Sequence, residues 1–146
     1  MKTIRLLLFT ALAVIFAGIG AHAQNYKAQF PQMDTTGAIK DASGTTFATI
    51  SKDSIIKNSQ GEKIALIDRN GNLLDNTGKI LGKAGKNGEF TKADGQVEYT
   101  VKPTKDGAHC EVYDKTGKKV LTVPKNYKEQ ASTMAYVQRE MCMPKK

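Results

Sequence analysis

The chain has 146 residues, 40% of them hydrophobic and 25% charged, with 13 Gly, 4 Pro, no Trp and a formal net charge of +8. That is the length of one ordinary domain. The composition excludes collagen-like and low-complexity chains.

The chain opens with a basic region, Lys2 and Arg5, followed by an apolar run over residues 6–19 and then Ala21-His22-Ala23. This is the order of a secretory signal peptide, with a small-x-small cleavage site. The apolar run is shorter than the ~20 residues of a membrane span, and no stop-transfer segment follows it. Residues 1–23 are therefore expected to be removed between Ala23 and Gln24, leaving residues 24–146 as a single β-repeat domain. With Gln24 rather than a cysteine at the new N-terminus, no lipid anchor is expected. Removing 23 of 146 residues leaves 123, and the loss of Lys2 and Arg5 takes the net charge from +8 to +6. The remaining lysines are scattered among acids, and Arg69 and Arg139 are the only other arginines. Nucleic-acid interfaces cluster their basic residues and use Arg at base edges, so no nucleic-acid partner is expected. The positive balance leaves weak attraction to an anionic surface polymer or lipid headgroup.

From residue 37 onward the chain repeats itself. Gly44, Gly61, Gly78 and Gly95 are 17 residues apart, each closing a polar stretch. Seven residues before each stands Gly37, Ser54, Gly71 or Gly88. Five before each stands an apolar residue: Ile39, Ile56, Leu73, Phe90. Three after come Phe47, Ile64 and Leu81, with Glu98 breaking the column; six after come Ile50, Ile67, Ala84 and Val101. A fifth unit around Gly117 supplies Val112, Val120 and Val123 and is 5 residues longer, because Gly95 to Gly117 is 22.

Seventeen residues are too few for a strand–helix–strand unit. They fit two short strands and two tight turns, and Asn70-Gly71, Asn87-Gly88, Asp94-Gly95 and Asp106-Gly107 are strong turn dipeptides. Each unit is read as a β-hairpin. Five hairpins sharing a core and closing into a ring hide their strand edges. Ten strands are expected over residues 37–123, with no helix before Pro124. The three-after and six-after columns are both apolar, which a regular strand forbids, so a bulge or bend is expected between them.

After Pro124, Tyr127, Ala131, Met134, Gln138 and Met141 fall at helical spacing. A short helix beginning near Asn126 is favoured over a closing strand at Met134-Ala135-Tyr136-Val137. This cover over residues 124–146 is expected to plug the ring, and residues 24–33 to pair with the last unit.

The five units, above all Asn70-Gly71-Asn72-Leu73-Leu74-Asp75-Asn76-Thr77-Gly78-Lys79-Ile80-Leu81-Gly82, and the apolar ending Met134-Ala135-Tyr136-Val137 resemble a family of small exported bacterial proteins, the five-fold β-flower proteins. The resemblance spans residues 37–137. It implies an all-β fold, a closed ring of hairpins with pseudo-five-fold symmetry, and it brings no catalytic residues or cofactor. The lengthened fifth unit departs from the pattern.

The chemistry-bearing residues are few. Once His22 has left with the signal peptide, His109 is the sole histidine, and no GxSxG, HExxH or phosphate-cradling loop accompanies it. The acids beside turns, Asp41, Asp75, Asp94 and Asp114, read as turn-stabilising side chains rather than a carboxylate array. Cys110 and Cys142 lie in the two non-repetitive parts. In an oxidising compartment they are expected to form a disulfide, closing about 33 residues for roughly 3–4 kcal/mol. The competing reading is a soft-metal site for copper(I) from His109, Cys110, Met141, Cys142 and Met143. The leading reading is a non-enzymatic, exported binding or scaffolding module without cofactors, partnered by an envelope protein or anionic surface polymer. The alternatives are a small hydrolase using His109 and a copper-binding protein.

Overall fold

The structure, a computed structural model, describes residues 30–142. Eleven strands follow one another: β1 Gln32–Met33, β2 Ala38–Lys40, β3 Thr46–Ile50, β4 Ile55–Asn58, β5 Lys63–Ile67, β6 Asn72–Asp75, β7 Ile80–Ala84, β8 Phe90–Lys92, β9 Val97–Pro103, β10 His109–Asp114 and β11 Lys119–Pro124. Each is antiparallel to its neighbour in sequence. β1 also lies parallel to β11, Gln32 opposite Thr122, and the sheet closes into a barrel. β2 to β11 are the ten strands that the 17-residue phase predicts, uninterrupted by helix. The signal-peptide segment and the cleavage site at Ala23 and Gln24 lie outside the described residues.

The expected irregularity is present once per unit. Register slips opposite Ile39, Ile56, Leu73, Phe90 and Val112. The residue skipped each time is the one three after the turn glycine: Phe47, Ile64, Leu81, Glu98 or Val120. This residue is itself the bulge. It leaves the next position, four after the glycine, facing inward together with the position two further on. The inward layer is therefore Ala48, Ala65, Gly82, Tyr99 and Leu121, each directly opposite one of the five slip-point residues. Ile39, Ile56, Leu73, Phe90 and Val112 are fully buried, as are Ala48, Ala65 and Leu121. Of the residues expected in the core, Ile50, Val120 and Val123 are buried, whereas Phe47, Ile64, Ile67, Leu81 and Val101 only flank it. Bulge geometry also accounts for Glu98. Held out of the ladder at the barrel end, its carboxylate meets the ammonium groups of Lys92 at 3.0 Å and Lys115 at 3.5 Å.

After β11 a 3-10 turn, Lys125–Tyr127, leads into α1, Lys128–Val137, and then into one π-helical stretch, Gln138–Cys142. The segment is helix, not a closing strand. It packs against β7, β8, β9, β10 and β11. Helical spacing singled out one face, but Ser132, Thr133, Ala135 and Val137 are buried along with Ala131 and Met134. A helix inside a ring is surrounded, so it has almost no outer face. Its aromatic anchor is Tyr136, stacked on Phe90 with ring centroids 4.7 Å apart.

The barrel has two mouths. The turns at Gly37, Ser54, Gly71, Gly88 and Gly107 form the entry mouth, where the Tyr127 hydroxyl donates to the Thr35 carbonyl. The turns at Gly44, Gly61, Gly78, Gly95 and Gly117 form the exit mouth, where the Arg139 guanidinium meets the Asp114 carboxylate at 3.3 Å. Ser54, at φ +60°, is the one non-glycine with positive φ among the described residues. Gly37 is constrained twice over: φ is +88°, and a Cβ there would sit 2.5 Å from the Ile50 carbonyl oxygen.

Candidate functional site

The acids at the turns are structural. Asp114 Oδ1 accepts the backbone N–H groups of Thr116 and Lys118 and the Thr116 hydroxyl. Asp41 and Asp75 repeat this set with Ser43 and Thr45, and with Thr77 and Lys79. Asn58 Oδ1 accepts the two corresponding backbone N–H groups, of Gln60 and Glu62, without a hydroxyl. At the entry mouth Asp34 and Asp68 make equivalent turns. Hydrogen bonding to the ionised form lowers the pKa of these carboxyl groups. The Thr116 hydroxyl contributes most for Asp114, against a desolvation cost, and holds it at about 2. The Ser43 and Thr77 hydroxyls lead the lowering at Asp41 and Asp75.

A folded pKa below the unfolded value of about 4 stabilises above pH 4, and the stabilisation is lost as pH falls through the folded pKa. The melting temperature is expected to hold from pH 7 to pH 5 and to fall between pH 4 and pH 2. The combined variant Asp41→Asn, Asp75→Asn, Asp114→Asn keeps the turn acceptor, as Asn58 does naturally. It should melt below the parent at pH 7, converge with it near pH 2, and so show a shallower acid slope. Melts followed by circular dichroism at both ends of the range check this, and an unchanged slope counts against the assignment.

His109 begins β10 on the surface. Its Nδ1 lies 3.8 Å from Asp106 Oδ2, with both side chains about half exposed or more. The Thr104 hydroxyl donates to Asp106 and to the His109 carbonyl. The carboxylate thus stands between hydroxyl and imidazole, and the imidazole does not face the hydroxyl. Nucleophilic catalysis needs the imidazole in the middle. The three side chains instead pin the tip of the lengthened hairpin, and the hydrolase reading loses its histidine.

The expected disulfide is not formed: Cys110 and Cys142 are free thiols. The path of the helix explains this. Cys110 lies opposite Val123, near the entry mouth. Cys142 follows Arg139, which meets Asp114 at the exit mouth. Cys110 is buried in the core, and burial pushes the Cys142 thiol up. The copper set does not converge either. Met141 and Cys142 end the plug at the far mouth from His109, and Met143 lies outside the described residues.

The polar concavity is at the entry mouth. A groove of about 310 Å³ runs between the turns at Ser54, Gly71 and Gly88 and the first turn of α1. Ser54, Asp68, Arg69, Asn70 and Lys86 line one side, and Glu129 and Gln130 the other. Gln130 Oε1 is buried there without a hydrogen-bond partner among the described residues. The groove therefore offers both signs of charge and an acceptor seeking a donor. That suits recognition of a polar partner. Sequence reasoning missed it, because it joins three turns to a helix distant in the chain. Among the described residues no helix is long and apolar enough to cross a membrane.

The family described as 5-fold beta-flower protein matches residues 22–138. No curated protein and no solved structure matches the chain.

Proposed function

Given that the chain belongs to the five-fold β-flower family, we propose that it is a non-enzymatic, exported repeat module that binds or scaffolds a partner in the bacterial cell envelope. The entry mouth is its binding face. One observation carries the reading: His109 and the turn acids are engaged in holding turns, while the entry-mouth groove is lined by charged side chains with a buried, unpartnered acceptor, Gln130 Oε1, behind them. A rigid ring presenting side chains on short turns is a preorganised surface, which lowers the ordering cost of binding. Export is supported by the signal-peptide pattern of residues 1–23. An envelope protein fits the mixed charge of the groove better than an anionic polymer does.

A photo-crosslinking residue placed at Arg69, and separately at Lys57 on the outer wall, tests the proposal in envelope extract. A discrete adduct from position 69 and none from position 57 supports it. Identical adducts from both positions, or none from either, overturn it.

A further inference from the structure

The ring is sealed by its shortest strand. β11 is paired with β10 along its length, but β1 reaches it only through Gln32 opposite Thr122, with the Thr122 N–H donating to the Pro31 carbonyl at 3.3 Å. Pro31 has no N–H with which to extend the ladder. Among the described residues, Lys119 and Val120 therefore have no strand beside them on that edge.

A notch of about 270 Å³ opens there at the exit mouth, bounded by Phe30, Pro31, Lys118, Val120, Gln138 and Arg139. Gln138 begins the π-helical stretch, a feature that recurs at functional sites. It is only 1% exposed, yet its Oε1 has no hydrogen-bond partner among the described residues. A buried acceptor left unpaired is unfavourable, so the notch favours an occupant that brings a donor. The walls are cationic. Lys119 is held by Glu111 at 3.1 Å and lies over the Phe30 ring, and Arg139 pairs with Asp114. Lys118 has no acidic side chain within ion-pair distance among the described residues, leaving three cations to two carboxylates.

We propose that this notch binds the C-terminal residue of an extended peptide, a site separate from the entry-mouth groove. A strand edge asks for a strand, the buried amide oxygen for an N–H, and the cationic wall for a carboxylate; a terminal peptide residue supplies all three. The carboxylate meets Lys118 and Arg139, the N–H meets Gln138 Oε1, and the terminal side chain rests on Phe30 and Val120.

The test uses the full chain and a fluorescein-labelled glycine–serine pentapeptide ending in leucine, as the free acid and as the amide. Fluorescence anisotropy should show the acid binding at least tenfold more tightly than the amide. Lys118→Ala, at an exposed position, should weaken the acid about tenfold, and Lys57→Ala should leave it unchanged. Gln138→Leu should weaken it similarly while retaining the parent circular dichroism spectrum. Equal binding of acid and amide, no binding of the acid at 1 mM, or insensitivity to Lys118→Ala overturns the proposal. N-acetyl-leucine binding as tightly as the peptide overturns the role of the strand edge. A chain ending at Cys142 that binds when the full chain does not would make the chain's own tail the occupant and overturn assignment to a partner.

Discussion

Gly82→Val is expected to lower unfolding free energy by about 3 kcal/mol, the upper part of the range for overpacked cores, and the melting temperature by roughly 15 °C. A Cβ at this position would lie 2.5 Å from Phe90 Cζ and 2.6 Å from the Thr91 carbonyl oxygen. Neither can retreat. Phe90 is fully buried, stacked on Tyr136 and paired opposite Tyr99. The first two units carry Ala48 and Ala65 at the same inward position, with Ile56 and Leu73 on the following strand where Phe90 follows Gly82. Gly82→Ala with Phe90→Leu should therefore approach an arrangement the ring already tolerates. It should recover at least about 1 kcal/mol relative to the sum of the single variants, a coupling typical of residues in contact. Chemical denaturation of the four proteins measures it, and strictly additive costs count against this packing.

A chain ending at Pro124 is expected to lose cooperative folding altogether. The plug contributes Ala131, Met134, Ala135 and Val137, all at 0% exposure, and the Tyr136 ring against Phe90. Truncating one large buried side chain costs about 2–5 kcal/mol. Removing several at once exceeds the 5–15 kcal/mol by which a domain is stable. Without the plug, Ile39, Ile56, Leu73, Phe90 and Val112 line an empty lumen. The truncated chain should bind a hydrophobic dye, lose its near-ultraviolet dichroism and melt without a sharp transition. Met134→Ala, a milder change, should keep the transition and lower stability by about 3 kcal/mol. A sharp transition in the truncated chain within 1 kcal/mol of the parent would show that the ring stands without its plug.

The positions of the strands were legible because turn glycines and apolar columns recur at a fixed interval, and both follow from local backbone requirements. The inward layer was less so. Ala48, Ala65 and Gly82 are small and carry little apolar signal, while the more conspicuous Phe47, Ile64 and Leu81 occupy the bulges. Small residues inside make sense only once a helix fills the lumen. The direction of that helix is a tertiary fact, and it is what parts Cys110 from Cys142. Both concavities were illegible for a related reason. The burial of Gln138 and the gap beside Val120 exist only after the two ends of the chain have met.

That meeting governs how the molecule acquires its structure. Every hairpin pairing joins residues close in sequence and can form in microseconds. The contact that seals the ring joins Gln32 to Thr122, and the entropy of bringing such distant segments together is spent before any contact repays it. Folding speed should be set by this final closure rather than by the hairpins. An open row of repeats has end units that fray and gain stability unit by unit. A closed ring has no end unit, so its equilibrium unfolding should be all-or-none despite a sequence built from nearly interchangeable parts.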